Sequence, residues 1–106
     1  MWVLQSAESD PDSWTFRLAA GAVKTVGRAP RADFIVDAAL VSRLHCRLTA
    51  TDRGLDVVDL ESTNGTFVNG KRVSKASLAV GDRLRIGRVE LRLVKAQLSN
   101  LTSEDS

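Results

Sequence analysis

The chain holds a single cysteine, Cys46, so no internal disulfide can form and nothing suggests a secreted, cross-linked scaffold. Its one histidine, His45, directly precedes that cysteine. With no second His or Cys the pair lacks the further ligands of a thiolate–imidazole metal site, and no metal or other cofactor is expected. No apolar run approaches the roughly 20 residues that cross a bilayer as a helix. The N-terminus, Met1 to Gln5, lacks the basic start and long apolar stretch of a signal peptide. These absences point to the cytoplasm (or the nucleus, in a eukaryote) and away from membranes. A net charge of +2 is too small to argue for nucleic acid, and the five aromatics are not interleaved with arginine as a stacking platform. Ser42 and His45 are not set in a Gly-x-Ser-x-Gly elbow, so no enzyme is expected. Capping signals ahead of a periodic apolar run are missing, which argues against helices.

What remains is an ordinary globular composition, 43% hydrophobic against 26% charged over 106 residues, enough for one modest core. Strand-like segments follow one another at short spacing: Trp2 to Ser6, Trp14 to Ala20, Val23 to Val26, Leu44 to Thr51, Leu55 to Leu60, Thr66 to Val68, Lys71 to Val73, Arg83 to Ile86 and Val89 to Val94. Cys46, Leu48 and Ala50 alternate as one buried face, and Trp14 and Phe16 read as core. A polar loop takes residues 7–13. An irregular stretch, Ala29 to Arg43, contains the short apolar piece Phe34-Ile35-Val36, and Ser74 to Val80 reads as a connection. This gives nine or ten strands and an all-β chain. The pattern suggests a sandwich, and on pattern alone a barrel stays open as the alternative. We place the domain at residues 1–98 and read 99–106 as a polar, acidic, mobile tail.

Two Asn-Gly pairs, Asn64-Gly65 and Asn69-Gly70, lie five residues apart. The pair tolerates positive φ at low cost, and the second pair, between Phe67-Val68 and Arg72-Val73, reads as a hairpin turn. If consecutive strands are antiparallel neighbours, the segments after Val26, before Cys46 and after Leu60 meet at one end. Arg28, Ser42, Arg43, Thr63 and Asn64 then share a rim. The arginines supply planar donor forks suited to phosphate or carboxylate, and the short polar side chains and turn N–H groups add donors. Asp59 and Glu61 are the acids expected nearby.

Gly27-Arg28, Ser42-Arg43-Leu44-His45, Ser62-Thr63-Asn64-Gly65-Thr66 and Asn69-Gly70, in this order and spacing, resemble the forkhead-associated (FHA) domain. The resemblance runs from about Val23 to Leu93. It implies a two-sheet antiparallel β-sandwich of about eleven strands with its binding loops at one end. It also implies a non-catalytic module that recognises phosphothreonine in a partner protein or peptide. By motif position Arg28, Ser42, Arg43 and Thr63 would hold the phosphate, and Asn64 would bind the peptide backbone. Gly27, His45 and Gly65 would shape the loops, and Leu40 would set an apolar preference after the phosphothreonine. The chain is expected to act as a monomer. The competing reading is an interaction domain that works without phosphate, or an intramolecular regulatory domain of a larger protein.

Overall fold

The computed structural model describes residues 1–6 and 14–96. The expected loop at 7–13, the boundary at residue 98 and the tail at 99–106 lie outside the described residues. Eleven strands and no helix are present among them: β1 Trp2–Ser6, β2 Thr15–Leu18, β3 Val23–Gly27, β4 Phe34–Ile35, β5 Cys46–Ala50, β6 Leu55–Asp59, β7 Thr66–Val68, β8 Lys71–Val73, β9 Lys75–Leu78, β10 Arg83–Ile86 and β11 Val89–Lys95. They form a six-stranded sheet in the order β2-β1-β11-β10-β7-β8 and a five-stranded sheet in the order β4-β3-β5-β6-β9. All pairings are antiparallel except β3 with β4. The architecture is a β-sandwich.

The alternation of apolar residues decides which face turns inward. In β11, Val89, Leu91 and Leu93 are buried while Glu90 and Arg92 are exposed; in β5, Cys46, Leu48 and Ala50 are buried while Arg47 is exposed. Leu4, Leu84, Leu91 and Leu93 from one sheet and Val26, Leu48, Leu55 and Val57 from the other fill the space between. Each such side chain contributes roughly 1.5–3 kcal/mol on leaving water. Phe16 stacks on Phe34 with ring centroids 4.5 Å apart, closing the sandwich edge where β2 faces β4. Trp14 and Phe16 are half-buried against the core rather than inside it. Trp2 Nε1 donates to Thr51 O at 2.7 Å and ties β1 to the β5–β6 turn.

Two segments differ from the sequence reading. Lys75–Leu78, read as a connection, is an edge strand paired with β6, and only Leu78 among its residues is fully buried. Phe34–Ile35 pairs in parallel with the end of β3, so the irregular stretch carries a two-residue strand. The thiol of Cys46 sits in the core. Burial, with repulsion from Asp59 added, pushes it up to about 12.

Candidate functional site

The rim is built where β3, β5 and β6 end. Consecutive pairing of β3 with β5 and β5 with β6 sends the residues after Gly27, before Cys46 and after Asp59 to the same end of the sandwich. Main-chain hydrogen bonds then lace them together. Arg28 N–H donates to Ser42 O at 3.0 Å, Ala29 N–H to Arg43 O at 3.0 Å, His45 N–H to Val26 O at 2.8 Å and Leu60 N–H to His45 O at 2.9 Å. The chain can run this close to β3 only because Gly27 has no side chain. A Cβ there would lie 2.0 Å from the carbonyl oxygen of Arg43.

His45 is fully buried and joins two loops. Its Nδ1 accepts the Ser42 N–H at 3.0 Å, so the ring proton sits on Nε2 and is donated to Gly65 O at 2.8 Å. The imidazole contacts the backbone of Ser42, not its hydroxyl, and therefore does not form a nucleophile–base pair with it. Ser42 Oγ accepts the Thr63 N–H at 3.0 Å. A hydroxyl that accepts this way keeps its own proton to donate elsewhere. Asn64 Nδ2 donates to Leu40 O at 3.1 Å, linking the third loop to the second. Leu40 has φ 72°, a left-handed conformation that is costly for a residue with a Cβ, and the residue is 46% exposed.

Below this rim lies a polar knot that the sequence reading did not resolve. Asp59 Oδ1 accepts from Ser62 Oγ at 2.5 Å and from Thr66 Oγ1 at 2.6 Å, and Oδ2 accepts from Ser62 N–H at 3.2 Å. Ser62 Oγ in turn accepts from Gly65 N–H at 3.0 Å. The spacing Asp59…Ser62 is the signal that could have revealed it, since a carboxylate capping the N–H three residues on is a common turn device. Burial raises the pKa of Asp59, but the bonds from Ser62 and Thr66 outweigh that and hold the carboxyl below the usual range. A folded value below the unfolded one stabilises the fold above the ordinary value of 3.8, and this is lost as pH falls through the lower folded value. Asp59→Ala leaves the Ser62 and Thr66 hydroxyls without their acceptor and is expected to cost about 2 kcal/mol. Urea titrations of both proteins at neutral and acid pH check this: the gap between them should narrow in acid.

The exposed side chains carry the charge. Arg28, Arg31 and Arg43 line an open depression of about 690 Å³ together with Ala29, Pro30 and Asp37. Among the described residues, Arg28 and Arg43 make no ion pair. Asp37 is an acid the sequence reading did not place here, and Arg31 is a third guanidinium it did not include. Glu61 is exposed, with φ 56°. Thr63 and Asn64 are exposed beside half-buried Ser42. Gly65 is buried at φ 90°, and a Cβ there would meet Arg72 Nε at 2.7 Å. A second depression of about 500 Å³ at the opposite end, around the β5–β6 turn, shares no residue with this rim.

A two-sheet β-sandwich of eleven strands is the fold of the FHA domain. Residues 24–87 match the family model of that domain, and the chain belongs to this family. It is 43% identical over 81 residues to an ABC transporter ATP-binding/permease protein of Mycobacterium tuberculosis, covering 76% of this chain and 9% of that one. It is 40% identical over 70 residues to the glycogen accumulation regulator GarA of the same species, covering 66% of this chain and 43% of GarA. The match thus spans less than half the length of these relatives. A solved structure described under phosphothreonine-dependent FHA domain interactions superposes with a TM-score of 0.75 at 31% identity, over 92% of this chain and 98% of that one.

Proposed function

We propose that the rim binds phosphothreonine in an extended peptide and that the chain is a non-catalytic module for phosphorylation-dependent protein–protein interaction. The observation that carries this is an open depression lined by Arg28 and Arg43, with the loops of Ser42, Thr63 and Asn64 tied to the same end of the sandwich by hydrogen bonds and by the buried His45 bridge. Arg28 and Arg43 supply the forks for the dianion, and the Ser42 proton adds a third donor. Thr63 sits beside that hydroxyl, through which its own N–H is anchored. The carbonyl and remaining N–H of the Asn64 side chain face a peptide backbone. Leu40, left-handed and exposed, offers an apolar contact for a residue following the phosphothreonine. The module acts as a monomer in the cytoplasm; among the described residues no helix is long and apolar enough to cross a membrane.

The test is calorimetry with a degenerate phosphothreonine peptide library and its unphosphorylated twin. Loss of two or more charge-assisted bonds costs about 3 kcal/mol or more, so the phosphorylated form should bind over about a hundredfold more tightly. Affinity should also decline below about pH 6, as the phosphate takes up a proton. Equal binding of the two forms at neutral pH defeats the proposal.

A further inference from the structure

The outer face of the six-stranded sheet is strongly basic. The register places Arg17 of β2, Arg92 of β11, Arg83 and Arg85 of β10, and Arg72 of β8 on the face opposite the core. Glu90 is the one acid among these strand positions. Five arginines less one glutamate give this face +4, whereas the whole chain carries +2. Arg83 lies directly opposite Arg92 across β10 and β11. Like charges in direct cross-strand register destabilise a sheet, so fold stability does not account for the pair. Arg83 relieves it only through a long contact to Glu90, 3.8 Å, with both side chains more than half exposed. Arg85 Cζ lies over the Phe67 ring, 4.0 Å from its centroid, and the guanidinium donates from Nη1 to Gly87 O at 3.1 Å. A shallow hollow of about 350 Å³ opens between Arg83, Arg85, Glu90 and the Asn69-Gly70 turn.

We infer that this face docks an acidic, Asp/Glu-rich segment of the same partner whose phosphothreonine enters the rim. The inference rests on the phosphothreonine reading above. Three observations select this occupant. Every cation on this face is arginine, whose planar fork matches a carboxylate. The face borders the rim: Arg72 Nε lies against the Gly65 turn, where a Cβ would meet it at 2.7 Å. And the ring of Phe67 is already covered by Arg85, which leaves no open aromatic surface for a nucleic-acid base to stack on. From β8 to β11 is three strand spacings, about 14 Å, which an extended segment of about eight residues spans readily.

The experiment compares five ligands: a short phosphothreonine peptide; the same peptide with eight Glu/Asp residues added at its N-terminus; the same addition at its C-terminus; and, as controls, Ser/Gln additions of equal length at either end. Anisotropy at low and high salt is measured on the wild type and on Arg83→Gln/Arg92→Gln, neither of which touches the rim. One acidic extension should raise affinity about tenfold at low salt, fading at high salt. The gain should drop below about threefold in the double variant, while its affinity for the short peptide is unchanged. Its melting temperature should not fall, since a like-charge pair has been removed. No gain from either acidic extension, an equal gain from the Ser/Gln controls, or a gain that survives in the double variant overturns the inference. If the short peptide itself fails to bind, the phosphothreonine reading falls. The face is then judged by the unphosphorylated acidic peptide at low salt, with loss of binding in the double variant supporting it and unchanged or absent binding overturning it. Oligonucleotides or anionic vesicles that need Arg83 and Arg92, when the acidic extensions do nothing, assign the face to another occupant and overturn it as well.

Discussion

Arg28→Ala is expected to lower phosphothreonine-peptide affinity by more than about a hundredfold while leaving the fold intact. The backbone of Arg28 is fixed by its N–H bond to Ser42 O, a bond alanine retains. The side chain is exposed and, among the described residues, makes no ion pair, so its removal leaves no buried partner orphaned. What disappears is a two-pronged donor aimed into an open depression. Two charge-assisted bonds of roughly 1.5–3 kcal/mol each account for the size of the loss. Arg28→Lys should fall between, because an ammonium keeps the charge but not the fork. Calorimetry measures the affinities and a thermal melt establishes that the fold is unchanged. Arg28→Ala binding within threefold of the wild type would falsify the role given to this residue.

Gly27→Ala is expected to be the most destabilising single-methyl change at this end of the molecule. The new Cβ would meet Arg43 O at 2.0 Å, Arg43 C at 2.7 Å and Leu44 Cα at 2.9 Å. These are backbone atoms, so no side chain can swing aside. Relief requires the strand end and the Ser42–His45 segment to separate by about an ångström or more, since ordinary contacts lie near 3.5–4.0 Å. Separation breaks the bonds from Arg28 to Ser42, from Ala29 to Arg43 and from His45 to Val26. A loss of about 3 kcal/mol follows, which lowers the melting temperature by more than about 10 °C in a domain of this size. Peptide affinity should collapse with it, because Arg28 and Ser42 no longer hold their spacing. Differential scanning calorimetry decides the matter: a melting temperature within a few degrees of the wild type shows that the two segments part without cost. Gly70→Ala is the contrast, since nothing lies within 4 Å of a Cβ there and only its φ of 82° resists.

The sequence carried the central meander because its strands are buried on one side and alternate cleanly. Cys46, Leu48 and Ala50 announce β5, and the Asn69-Gly70 pair announces a turn in which both residues do adopt positive φ. Consecutive antiparallel pairing then forces three loops to one end, and the position of the rim follows from topology. The edges were harder. Lys75–Leu78 buries so little that its composition looks like a loop, and Phe34–Ile35 is two residues long. The roles of the site residues came from the resemblance to the FHA domain rather than from periodicity. Contacts between distant segments left no local trace: Asp37 reaches the arginine depression across an irregular stretch, and Arg72 packs against Gly65 only once β7 and β8 fold back. The Asp59 knot was partly visible in spacing, but that Thr66 closes it depends on the chain crossing from one sheet to the other.

The deeply embedded thiol of Cys46 bears on how such a module would serve in a cell under chemical stress. The thiolate is the species that peroxides and electrophiles attack, and a group held near 12 supplies almost none of it. Oxidants that silence enzymes through exposed, acidic cysteines have no purchase on this domain. Redox control that works through a reactive thiol is therefore expected to act on a partner of the domain and not on the domain itself.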